Sequence, residues 1–443
     1  MERGYETDEN DMTMYRLARF ANILIVSLTM MFAACGDDDD YRPAPDPDPV
    51  YPVVENVTQL LTHKAGTAGV PIVIMADGYT AKDIASGEYR KAVNAAVEAL
   101  FSSEPMASLK DLFDVYEVAL ESEHRGIDLK KHNTALSTHL VSDASVEVYG
   151  DSIEVQKQVR NALAKMEGAA AANAKFNKVT TIVLLNSSAY AGVTLLARDE
   201  TVKDGIPQGF ALSYIPANAT SKGRNVFKGL VQHEAVGHGL AKLADEYYYA
   251  TTPTKEQLAD YETASKCGFF QNVHYHQNAS DTKTQYYITH TDGTKEFIYL
   301  HTMEPGTLAG RFAADAAYAG ENLKWYRGAN TYNSYFYRPT MNFIAEGYTF
   351  VSMMDNIVHG YELRFNVLSR LAIYKCVMRN AYGVSWKFDD SSEADYNNFV
   401  NFDKQKGGAP TASKALRAAQ GGELTRDADV PALPSPKFIK TSK

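Results

Sequence analysis

The chain has 443 residues, 45% hydrophobic and 22% charged, with 28 tyrosines and 19 phenylalanines, which excludes an intrinsically disordered protein. A formal net charge of −10 argues against nucleic acid as a partner, because phosphate recognition needs a basic face. Three cysteines are too few for a disulfide framework, although Cys267 and Cys376 could pair in an oxidising compartment.

In chain order, the first feature is an address. Arg16 and Arg19 precede an apolar run from about Phe20 to Phe32 that suits a signal peptide better than a membrane span. Ala33 and Ala34 before Cys35 resemble a bacterial lipobox, with Phe32 where leucine is usual. Cys35 is therefore expected to carry lipid and to begin the mature chain; a plain secretion signal or an uncleaved anchor is the alternative. The residues before Met12 are acidic, unlike a signal peptide's start, so Met12 and Met14 are candidate initiators beside Met1. Residues 36–51 hold four consecutive aspartates and then closely spaced prolines, which favours an extended tether. Acidic residues just after a lipidated cysteine resemble the surface-export signal of Bacteroidetes-type lipoproteins, which implies a lipid-anchored protein on the outer membrane, facing outward.

The run 70–80, VPIVIMADGYT, reads as a buried strand ending in a turn at Asp77 and Gly78, where Asp77 suits turn chemistry better than catalysis. Residues 81–101 have helical spacing, LFDVYEVALES alternates as a strand does, and 152–174 predict a second long helix. KVTTIVLLNSS (178–188) and QGFALSYI (208–215) predict two more strands, followed by a helix starting near 222–225. Residues 250–340 are polar, aromatic and poorly periodic, and predict long loops with short strands. Helical spacing returns over 362–383 and stops at Gly383. The expected organisation is a leader (1–35), the tether (36–51), one α/β catalytic domain (52–385) and a tail (386–443) packed on it.

The chemistry is concentrated in VQHEAVGHGLAKLADEYYYA (231–250). His233 and His238 are five residues apart, about 140° around a regular α-helix, so they cannot share one metal ion without a change of helix. A π-bulge absorbs one residue and restores convergence, as does a helix that loosens at His238 beside Gly237 and Gly239. Zinc takes imidazole and carboxylate, usually three protein ligands in a catalytic site. Asp245 or Glu246 can supply the third, and Asp245 is the choice here. A turn starting at Gly239 is then required, since an unbroken helix would carry Asp245 about 10 Å along its axis. Glu234, next to the first histidine, is placed to act as general base and acid.

HEAVGHGLAKLADEY resembles the signature of the IgA-peptidase family of bacterial zinc metallopeptidases. IMADGYTAKD, LFDVYEVALES, VLLNSSAYAG, YRPT, SMMDN and RFNVLSR extend the resemblance over roughly residues 70–380. Many members of that family have one residue fewer between the histidines. The resemblance implies a metzincin-like fold, with a mixed twisted sheet over a long active-site helix and a methionine turn, at Met354 rather than Met353. It also implies zinc-dependent hydrolysis of peptide bonds in protein or glycoprotein substrates.

Other residues are weaker candidates. His274 and His276 share a strand face, Tyr247, Tyr248 and Tyr249 could line a substrate groove, and Arg338 could clamp a carboxylate. Two further functions stay open on sequence alone: a non-catalytic lipoprotein that binds protein or glycan, and a zinc amidase acting on cell-wall peptide.

Overall fold

The computed structural model describes residues 57–127, 134–141, 146–249, 251–277, 284–289, 295–340, 351–355, 363–406 and 433–441. The leader, Cys35 and the tether lie outside these residues.

Seven strands form the main sheet: β1 (Val57–Leu61), β2 (Val70–Asp77), β3 (Phe113–Val118), β4 (Thr180–Leu185), β5 (Val193–Leu196), β6 (Ala211–Pro216) and β7 (Lys437–Phe438). Their spatial order is β1-β3-β2-β4-β6-β5-β7. The four central strands run parallel, whereas β1 and β5 are antiparallel to their neighbours. Every residue of β2, β3, β4 and β6 is buried, as expected of parallel strands covered on both faces. This explains the near-continuous apolar runs, and it corrects the alternating pattern expected for LFDVYEV.

Side chains of β2 alternate between two cores. Ile72, Ile74 and Ala76 join a cluster with α2 (Glu88–Leu100), the motif helix and the helix Val367–Tyr382. Val73 and Met75 pack with α3 (Ser152–Glu167) and α4 (Ala169–Phe176) on the other face. Each of the larger of these side chains, Ile72, Val73, Ile74 and Met75, contributes about 1.5–3 kcal/mol.

Two expected helices are each divided. Residues 81–101 form α1 (Ala81–Ala85) and then α2, separated at Gly87 with φ 83°. The 152–174 stretch breaks at Gly168, whose φ of 86° and ψ of 157° end α3 before α4 begins. Residues 250–340 are also more ordered than their weak periodicity suggests. They contain α5 (Lys255–Lys266), capped by Thr254 and Gln257, and all of a five-stranded sheet that runs from His274 to Arg338. The tail contributes a helix, Glu393–Phe402, and β7.

Asp77 is structural, as its turn position suggests. One carboxylate oxygen accepts from Gly78 N and Ser122 Oγ, the other from Thr138 N and Oγ1 at 3.1 and 2.6 Å. It pins two loops to the end of β2.

Candidate metal centre

The motif helix starts at Phe227, after a short hairpin of Thr220–Ser221 and Arg224–Asn225, and later than the sequence spacing suggests. From Val231 to Leu240 it is a π-helix, and all ten residues are buried. One wide turn was expected; the whole segment is widened. Ala241 N donates to Val236 O, five residues back, at 3.1 Å. The Glu234 carbonyl accepts from Ser213 Oγ at 3.1 Å, so a sheet hydroxyl satisfies it.

Two glycines let this helix approach its neighbours. A Cβ on Gly239 would lie 3.0 Å from Thr180 Cγ2. A Cβ on Gly237 would lie 2.3 Å from Met354 Sδ. The chain leaves the helix at Lys242, with φ 55°, rather than at Gly239. Lys242 Nζ donates to Gly239 O at 2.6 Å, and burial pulls this amine down to about 7.

The π geometry brings His233 Nε2 and His238 Nε2 to 3.1 Å, with the rings at 89°. Asp245 Oδ1 lies 3.2 Å from the first and 3.1 Å from the second. These three buried groups are the one cluster of metal-ligand type found among the described residues. Each histidine Nδ1 faces a carbonyl, Met353 O at 2.9 Å and Leu243 O at 2.8 Å. A carbonyl can only accept, so Nδ1 carries a proton, and each ring in its neutral form presents its Nε2 lone pair to the centre. Tetrahedral ligands at the usual zinc distances would stand about 3.4 Å apart, close to this spacing. The donor set therefore fits zinc.

The electrostatics agree. Burial opposes charge on His233, but Asp245 outweighs it and raises this histidine to about 9. Burial likewise opposes charge on Asp245, and His238 and His233 together hold it well below the usual carboxylate range. A metal ion would replace the proton that this carboxylate otherwise favours on the imidazoles.

Glu234 is fully buried beside the cluster. Its Oε2 accepts from Thr194 Oγ1 at 2.7 Å, and its Oε1 has no hydrogen-bond partner. Burial raises its pKa, with the two histidines opposing. Gly192 gives it room, since a Cβ there would lie 3.0 Å from Oε1. Thr194 carried no sequence signal, and Gly192 appeared only as the end of the family-like stretch VLLNSSAYAG, because both act across the sheet.

Glu246 points away from the cluster. Its carboxylate accepts from Asn366 Nδ2 at 2.7 and 2.9 Å, Asn272 Nδ2 at 3.0 Å and Ser369 Oγ at 3.3 Å. Burial pushes it up to about 7 against the pull of Ser352, Asn272 and Asn366. Its backbone N donates to Met354 O at 2.7 Å, and Asn330 N donates to Asp245 O at 2.8 Å. Adjacent acids thus divide the work, one facing the histidines and one anchoring the loop.

The remaining candidates are placed elsewhere. Tyr247 stacks over His233 at 6.4 Å, and Tyr249 is 40% exposed at the rim. Arg338 donates to the Arg327 and Gly328 carbonyls and lies over Tyr248, which makes it a brace for the second sheet. His274 stacks on Trp325 and His276 on His301, outside the metal-type cluster. Cys267 and Cys376 are both buried and free.

The fold and the site define an α/β protein with one buried candidate metal centre built on a widened helix. The chain belongs to the IgA peptidase M64 family, whose sequence model matches residues 59–297. That membership makes it a peptidase. The match includes the site helix and Asp245 and ends before Met353 and Met354. No curated protein matches the chain.

Proposed function

We propose that the chain is a zinc-dependent endopeptidase that hydrolyses protein or glycoprotein substrates outside the cell. The observation that carries this reading is the convergence of His233 Nε2, His238 Nε2 and Asp245 Oδ1 beside the unpartnered Glu234 Oε1. These three atoms would hold the ion. Bound zinc supplies the Lewis acid that polarises a carbonyl and acidifies water. Thr194 fixes one oxygen of Glu234, which leaves Oε1 to take a proton from the attacking water and return it to the departing amine. Burial, by raising the proton affinity of Glu234, suits that exchange.

Met354 under Gly237, with the Met353 carbonyl on His233, supports the metzincin-like reading of this turn. Tyr247, stacked over His233, and the half-exposed Tyr249 would form the wall against which a peptide lies. The lipobox at Cys35 and the acidic tether support anchorage on the outer membrane, with the catalytic domain outward.

The Glu234→Gln variant tests the mechanism. It keeps every metal donor and removes the proton acceptor, so zinc content is expected to stay normal while casein hydrolysis falls about 10²–10⁴-fold. Substantial hydrolysis by the purified variant would overturn the role given to Glu234.

A further inference from the structure

Strand β5 carries the contacts that hold Glu234. Thr194 binds its carboxylate, and Gly192, just ahead of the strand, abuts Oε1. An extended peptide entering the site would naturally pair with the outer edge of this strand. That edge is taken by the chain itself.

Lys437 and Phe438 pair in parallel with Leu195 and Leu196, and Ile439 N donates to Leu196 O at 2.9 Å. At the other end Leu433 is buried, and its carbonyl accepts from the hydroxyls of Tyr247 and Tyr249. Tyr247 is the ring stacked over His233. The segment from Leu433 to Phe438 thus runs from the ligand loop to the edge strand. The residues between, Pro434 to Pro436, bridge the tyrosines that hold Leu433 O and the Leu195 end of β5.

We propose that residues 433–441 are an autoinhibitory strap that holds the place of an extended peptide substrate on β5, and that substrate binds by displacing it. The proposal rests on the peptidase reading above. The strap is anchored by buried Leu433 and by Ile439, which packs against the core, but its pairing with β5 is short. Its ladder is two residues long, and Pro434 and Pro436 offer no backbone N–H to extend it. Phe438 packs on Arg198 and Phe269 yet stays 37% exposed, and the Lys437–Glu147 ion pair at 3.4 Å lies at the surface. A peptide without those prolines can form the ladder bonds that the strap lacks.

Two full-length variants test this. Leu195→Cys with Lys437→Cys places thiols at facing ladder positions, where a disulfide fits. Oxidation is expected to slow casein hydrolysis at least about tenfold and to abolish binding of a fluorescein-labelled peptide with the sequence of residues 433–441, both restored by a phosphine reductant. Phe438→Ala loosens the strap without added cysteines and is expected to lower KM about threefold or more at unchanged kcat. Equal peptide binding by the oxidised and reduced forms, or an unchanged KM in Phe438→Ala, overturns the strap. Labelled peptide that binds only the reduced form, with no casein hydrolysis by either, would keep the strap and reject the peptidase reading.

Discussion

At the scale of single residues, the centre depends on atoms that are missing as much as on those present. Gly237 has no Cβ, and that absence lets Met354 lie against the helix between the two histidines. Gly237→Ala would force Met354 aside and, with it, the Met353 carbonyl that orients His233. A loss of about 1–3 kcal/mol in urea denaturation is expected, as for other overpacked cores. Adding Met354→Ala should recover part of that loss by reopening the space. Full wild-type stability in the single variant would mean that Met354 is free to move. The histidines, Glu234 and Asp245 were legible from residue type and spacing. Thr194, Ser213 and Asn272 were not, because their partners lie 40, 21 and 26 residues away in sequence.

At the scale of elements, apolar runs identified the central strands and helical spacing identified the helices, but not where the helices break. A lone glycine inside a helical pattern is tolerated at a modest cost, so periodicity does not mark Gly87 or Gly168 as boundaries. Their positive φ values in the fold do. Gly168→Ala meets no neighbouring atom, so its cost is backbone strain alone, about 1–3 kcal/mol. The urea midpoint should fall accordingly while zinc content is unchanged. An unaltered midpoint would mean that α3 and α4 can merge without penalty. Helix α5 was missed because Leu258, Tyr261 and Ala264 give only a thin apolar face; the Thr254 and Gln257 capping box was the available signal. The five-residue histidine spacing predicted a departure from α geometry, though not its ten-residue length. Within that length, Ser213 satisfies the Glu234 carbonyl from the sheet.

At the scale of the whole molecule, the sheet, the π-helix and the loop after it bring the Glu234 carboxylate beside three groups that could hold a metal ion, within a family of peptidases. Anchorage belongs to this scale too. Cys35→Ala is expected to abolish lipid labelling and membrane fractionation while the purified domain keeps its thermal midpoint; persistent labelling would refute the lipobox. The central claim is that one zinc ion is held across the five-residue spacing by His233, His238 and Asp245. Zinc per chain, measured by mass spectrometry after dialysis against a weak chelator, tests it most directly. The account predicts about one ion in the wild type, near-complete loss in His233→Ala, His238→Ala and Asp245→Ala, and retention in Glu246→Ala, whose carboxylate only anchors the loop. Full zinc in His238→Ala or Asp245→Ala, or loss confined to Glu246→Ala, would contradict it.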